Sequence, residues 1–385
     1  MRREKWCWPL FLRIFQIRNV NSDFLREFTV NVYQQAQRHK LKLPIMFTRL
    51  ALSLVLFTLV GRPAHAADTF TNPIASSGAD PWMIRHGDDY FLVQSRRGQV
   101  CVGRAANPVD IGKSPWVTVW TPPPGKPYSK EVWAPELHYL QNKWYIYVAA
   151  DDGDNNHHRI YVLEGSSQNP QDPFIFRGEL KLPDDRWAID GSAFTFSNRL
   201  FFIWSGWAGT SNVDQRIYIA EMSGPLTAKG PRACLSLPQY DWEKRDGPPT
   251  INEGPEALEH RDQLGGHLFI IYSAAGSWAD NYCLGQLTFT VGDPRRPESW
   301  VKKPLPVFSR NADVFGPGHC CFVKSPDGAE DWIIYHAAKY SGAGWNRNLR
   351  AQKFTWQADG SPDFGIPISS GVPLTLPAGP QTKRQ

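Results

Sequence analysis

Three carboxylates stand in short segments pinned by rigid residues. Asp80 lies in Gly78-Ala79-Asp80-Pro81-Trp82, Asp190 in Trp187-Ala188-Ile189-Asp190-Gly191-Ser192, and Glu253 in Asn252-Glu253-Gly254-Pro255-Glu256. Apolar or aromatic neighbours flank each one, and a charge in such surroundings costs free energy unless it is paired or used. Glycoside hydrolysis needs one carboxylate to activate water and one carboxylic acid to protonate the leaving oxygen. A third carboxylate nearby raises the acid's pKa by like-charge repulsion. Trp82, Trp133, Trp187, Trp207 and Trp278 offer apolar faces on which sugar rings stack. Taken singly, each carboxylate reads better as a turn or cap residue, so its place in the chain has to decide.

That place repeats. Apolar, aromatic-rich runs of strand length recur at Tyr90–Val93, Trp144–Val148, Leu200–Trp204, Leu268–Tyr272 and Trp332–Tyr335, and a further strand-like run often follows each. Units of about sixty residues with several antiparallel strands have the size of a four-stranded propeller blade. The expected fold is therefore all-β: a five-bladed β-propeller of four-stranded antiparallel blades around a central channel. Upstream of each run lies a segment carrying one ionisable residue, namely Asp80, Glu136, Asp190, Glu253 and His319. If these segments are the innermost strands, all five residues point to one mouth of the channel. A β-sandwich accommodates the strands but gives no reason for that regularity.

Composition sets the outer limits. The chain has 385 residues, 42% hydrophobic and 13% aromatic, and 32 Pro and 31 Gly without a three-residue period, which excludes disorder and collagen. The net charge of +5 invites a nucleic-acid reading. Residues 1–67 hold 11 Lys and Arg against 3 Asp and Glu, which leaves the body at about −3 with no basic cluster interleaved with stacking aromatics. No nucleic-acid partner is expected. From Met46 to Ala66 a basic start at Arg49, an apolar run from Leu50 to Val60 and Ala64-His65-Ala66 compose a secretory signal peptide. The run is shorter than the ~20 residues of a membrane span, so no stable membrane anchor is expected. Residues 1–45 read as an over-extended start or unstructured leader, residues 67–385 as a single catalytic propeller, and the mature protein as secreted or periplasmic. Cys101, Cys234, Cys283, Cys320 and Cys321 remain in that region, without metal spacing, and read mostly as buried small hydrophobes.

The motifs GADPW, VWAPELH, AIDGS, INEGPEAL, YCLGQLT, FGPGH and DWIIYHA, with the terminal TWQADGSPDFGIP, span residues 70–368 in order. Together they closely resemble glycoside hydrolase family 43, in particular its exo-acting α-L-arabinofuranosidases. The resemblance implies an inverting hydrolase on a five-bladed propeller, acting on plant cell-wall polysaccharide or oligosaccharide. It implies Asp80 as general base, Glu253 as general acid, and Asp190 as the carboxylate that tunes the acid and orients substrate. It further implies that His319 stands beside a hydrated structural calcium ion and that no organic cofactor takes part. Family members commonly carry Asn-Ser after that histidine, where this chain has Cys320-Cys321. Glu136 reads as a supporting residue, Arg350 as a clamp on the sugar, and Trp82, Trp133, Trp207 and Trp278 as substrate platforms. Glu256, three residues beyond Glu253, is expected on the opposite face of an extended strand.

Three other activities compete. A β-xylosidase would use the same three carboxylates, because arabinofuranose and xylopyranose can place their hydroxyls similarly. A non-catalytic carbohydrate-binding propeller would keep the tryptophans and could lose a carboxylate, whereas all three are present. A sialidase would carry an S-x-D-x-G-x-T-W box, which Ser325-Pro326-Asp327-Gly328 only half fits.

Overall fold

In the strand Asp89–Arg96, Tyr90 and Leu92 face one neighbouring sheet while Phe91 and Val93 face another. Both sets are buried, so the period-two alternation of a strand here feeds two interfaces instead of one. The same holds around the molecule. The computed structural model describes residues 68–379, and the expected leader and signal peptide lie outside them.

Five four-stranded sheets follow one another along the chain, each a simple antiparallel meander. Their inner strands are Trp82–His86, Lys130–Leu140, Ala188–Phe196, Asn252–Asp262 and Phe315–Lys324. Five apolar clusters each join two consecutive blades, and the cluster holding Met83, Tyr90, Leu92, Cys321, Trp332 and Ile334 joins the first blade to the fifth. The ring is thus closed, as a five-bladed β-propeller. Closure is fastened where Thr69–Thr71 pairs with Pro373–Thr375 and Asn72 exchanges two hydrogen bonds of 2.9 Å with the backbone of Ala351. Among the described residues the five cysteines are free; Cys234 is half-buried and the rest are buried. Among the described residues no helix is long and apolar enough to cross a membrane.

The inner strands are not regular. The pairing slips between Trp133 and Glu136, Ile189 and Ser192, Glu253 and Glu256, and twice between Phe315 and Cys320. Each slip is a β-bulge that inserts a residue and re-aims the chain. Backbone φ is positive at Ala134 (40°), Asp190 (51°), Gly254 (53°) and His319 (45°), and Asp80 (47°) takes the same conformation just ahead of the first inner strand. Outside glycine such angles cost of order 1–3 kcal/mol and persist only where packing over-determines them. The blades provide that packing.

The bulges overturn two expectations. Glu253 pairs with Ser273 and Glu256 with Ile271, so three residues of one strand span two of its partner. Glu256 therefore returns to the face that Glu253 occupies. Glu136 pairs with Tyr147 in the same way that Ser192 pairs with Ile203, which places it beyond its own bulge and one layer deeper in the channel. Glu136 and Glu256 meet there, away from the mouth.

Candidate active site

At the mouth of the channel the inner strands of the third, fourth and fifth blades and the turn before the first bring Asp190, Glu253, His319 and Asp80 together. His319 is the hub. Its Nδ1 lies 3.2 Å from Asp80 Oδ1, and its backbone N–H donates to Ser273 Oγ at 2.8 Å. Gly254 N–H donates to Asp190 Oδ2 at 3.0 Å, tying the third blade to the fourth. Only glycine serves at 254: φ is positive, and a Cβ there would stand 3.1 Å from His319 Cγ. Gly318 has a similar reason, since a Cβ would lie 2.4 Å from the Tyr282 ring. That ring must pass close, because Tyr282 Oη donates to Glu253 Oε1 at 2.8 Å.

Two basic side chains finish the setting of Asp80. Arg347 Nη1 lies 3.4 Å from Asp80 Oδ1, while its Nη2 donates to the Ser277 carbonyl. His336 Nδ1 accepts the Asp80 backbone N–H at 3.1 Å. A ring nitrogen that accepts bears no proton, and burial, with Arg347 beside it, pushes the His336 pKa down to about 3. His336 is thus a neutral support that fixes the backbone carrying Asp80.

The carboxyls are driven apart electrostatically. Burial acts to raise Asp80, but His319 and Arg347 outweigh it and hold the group well below the ordinary carboxylate range. Asp80 also keeps 27% of its side chain exposed, which limits the burial cost. Asp190 is pushed up to about 8, chiefly by burial and then by Glu253 and Asp80, against the pull of His319. Burial raises Glu253 as well, against His319 and the Tyr282 hydrogen bond. At neutral pH Asp80 is ionised, while Asp190 and Glu253 retain a proton between them. One site therefore holds a ready base and a ready acid.

This charge pattern predicts a bell-shaped pH dependence of kcat/KM. The acid limb reports protonation of Asp80, and the alkaline limb reports loss of the proton held by Asp190 and Glu253 as a coupled pair. Asp190→Asn removes a negative neighbour, lowers the acid's pKa and is expected to move the alkaline limb to lower pH. An unmoved limb would show that Asp190 does not tune the acid.

Deeper in the channel, Glu136 Oε2 lies 2.9 Å from His138 Nε2, and Ser192 Oγ donates to Glu256 Oε2 at 3.3 Å. Burial first and then Glu136 push Glu256 well above its ordinary value, so it is a neutral acid below the mouth. Cys320 and Cys321, in place of Asn-Ser, pack into the cores between blades.

The substrate platforms expected from sequence divide. Trp133 is 37% exposed at the rim, stacked on His158 at 4.1 Å. Trp278 is half-buried beside Ser277, whose carbonyl holds Arg347. Trp207 is 1% exposed, sealed against Trp187 at 4.8 Å, and Trp82 turns into the deeper layer with its indole N–H on the Leu137 carbonyl. Neither can carry a sugar at the mouth. Arg350 is buried and donates to the Ile368 carbonyl at 2.7 Å and Ser370 Oγ at 3.2 Å, holding the C-terminal segment. The arginine at the carboxylates is Arg347. The sequence motifs DWIIYHA and YCLGQLT contain His336 and Tyr282, but neither carries the repeat position that marked the other site residues: His336 is on the second strand of its blade and Tyr282 lies just before the third strand of its own. Trp345, 68% exposed with its indole N–H 3.3 Å from Ser277 Oγ, is a further rim aromatic.

Residues 70–362 match the family described as Glycosyl hydrolases family 43. The chain belongs to that family. As a family 43 member it is a glycoside hydrolase. It is 33% identical over 347 residues to an extracellular exo-α-(1→5)-L-arabinofuranosidase of Streptomyces avermitilis, covering 85% of this chain and 70% of that one. A protein of the same name from Streptomyces chartreusis is 32% identical, with 74% and 88% covered. Among solved structures, an α-L-arabinofuranosidase from Lactobacillus brevis superposes with a TM-score of 0.72 at 33% identity, covering 79% of this chain and 98% of the other.

Proposed function

We propose that this family 43 hydrolase is an exported, exo-acting α-L-arabinofuranosidase that releases terminal arabinofuranosyl units from arabinan, arabinoxylan or their oligosaccharides with inversion. What carries the reading is the split at the mouth: Asp80 held ionised beside His319 and Arg347, and Asp190 and Glu253 raised by burial so that they keep a proton between them. Relatives named arabinofuranosidases, two of them extracellular, support the sugar and the export. Asp80 takes a proton from water as that water attacks the anomeric carbon, and Glu253 gives its proton to the departing oxygen. Asp190, fixed by Gly254 N–H, holds the sugar and keeps the acid protonated. Tyr282 steadies Glu253 in the one orientation from which it can donate.

Glu136 Oε1, a buried acceptor without a partner, would hold a hydrated calcium ion, whose water and not the protonated His319 ring would fill the rest of its shell. Bound there it would add positive charge near the carboxylates, and no step above requires it.

Hydrolysis of 4-nitrophenyl α-L-arabinofuranoside and β-D-xyloside tests the sugar, and proton NMR of the first-formed product on linear arabinan tests the stereochemistry. Faster arabinoside cleavage and initial β-arabinose are expected. Preference for the xyloside would make the protein a β-xylosidase, and initial α-arabinose would make Asp80 a nucleophile.

A further inference from the structure

On the second blade, at the same end of the propeller as the carboxylates but outside their contacts, three potential ligands converge. Glu131 is in the inner strand Lys130–Leu140, Asp151 ends the neighbouring strand Lys143–Asp151, and Lys130 pairs directly with Asp151. The chain then makes a short turn, Asn155–His157, capped by the Asp154 side chain, and brings His158 back against the pair. One donor atom from each of Glu131, Asp151 and His158 lies within 4.8 Å of the others. Asp151 and His158 have no exposed side-chain surface, while Glu131 opens to solvent.

The hydrogen bonding around them is incomplete in a particular way. His158 Nε2 lies 3.1 Å from the Glu131 carbonyl oxygen, which can only accept, so Nε2 carries the proton. In the neutral ring that tautomer leaves Nδ1 with a bare lone pair, and Nδ1 has no hydrogen-bond partner. Asp151 Oδ1 is used by Gly153 N–H at 2.8 Å. What remains is His158 Nδ1 facing Asp151 Oδ2 at 2.9 Å, aligned for no hydrogen bond, and neither atom has any other partner. Two acceptors, with a second carboxylate beside them, repel one another unless something positive joins them.

We propose that Glu131, Asp151 and His158 form a binding site for a divalent transition-metal ion of the zinc type. One imidazole nitrogen and two carboxylate oxygens suit zinc, whose tetrahedral bonds of about 2.0–2.2 Å set neighbouring ligand atoms about 3.3–3.6 Å apart. Calcium would want more oxygens than converge here. A ligating histidine ordinarily donates its other N–H to a carbonyl or carboxylate, as His158 does to Glu131. The exposed Glu131 side gives the ion an entry path and room for water. Trp133 stacks on the His158 ring at 4.1 Å, so the ion would fix the floor beneath a rim tryptophan.

Equilibrium dialysis of the whole chain against zinc chloride, followed by metal analysis and thermal unfolding, tests the site. One tightly held zinc per chain and a raised unfolding midpoint are expected. Glu131→Gln, on an exposed residue and so safe for folding, and Asp151→Asn should each weaken zinc binding at least about tenfold, as loss of a ligand does. His157→Ala, which alters the exposed histidine next door, should leave it unchanged. Zinc removal should raise KM more than it lowers kcat. Absence of zinc uptake, uptake indifferent to Glu131→Gln, or calcium taken up at this site in preference to zinc would overturn the assignment.

Discussion

Glu253→Gln is expected to lower turnover of an unactivated arabino-oligosaccharide by about 10²–10⁴-fold, the usual worth of a positioned general acid. The amide keeps the volume of the carboxyl, and its oxygen can still accept from Tyr282 Oη, so near-UV circular dichroism should match the wild type. What it lacks is a proton to give. A 4-nitrophenyl leaving group departs without protonation, and on that substrate most of the loss should disappear. Glu256→Gln is the control that decides the assignment. Glu256 is already a neutral acid bonded to Ser192 in the deeper layer, so its amide should cost little activity. The opposite outcome, with Glu256→Gln inactive and Glu253→Gln active, would transfer the acid's role to Glu256.

Asp80→Asn is expected to cost as much on every substrate. Asparagine tolerates the left-handed backbone that Asp80 adopts at φ 47°, and its N–H can still reach His336 Nδ1, so the turn should survive. The variant cannot accept a proton from water. Because the lost function lies on the attacking side, an activated aryl leaving group should not restore it. Rescue of Asp80→Asn by the 4-nitrophenyl substrate to the same degree as Glu253→Gln would mean that the two residues do not divide base from acid. The comparison needs only kcat/KM for the two variants on two substrates.

Arg347 and Arg350 show where reading a strand from its sequence holds and where it stops. Their strand pairs without interruption, Arg347 with Ala338 and Arg350 with Tyr335, so an offset of three puts them on opposite faces. The same parity applied to Glu253 and Glu256 fails, because a bulge adds one residue between them. A one-residue slip turns a side chain to the other face. Nothing in Asn252–Glu256 announces it except a glycine whose conformation the letter alone does not reveal.

The sequence by itself determined the ring. Alternating apolar residues are a local property with a fixed period of two, and five recurrences of one pattern specify five blades and their order. It also singled out Asp80, Asp190, Glu253 and His319, because ionisable residues held by glycine or proline among apolar neighbours stand out in the chain. Only the tertiary structure decided which of them share a layer. Glu136 shares the regularity of the repeat yet lies below the mouth, Trp207 has the right residue type yet is sealed against Trp187, and Arg347 reaches Asp80 across 267 residues of chain. Burial, bulge register and the charge each carboxyl carries depend on atoms contributed by other blades, and no local stretch of sequence contains them.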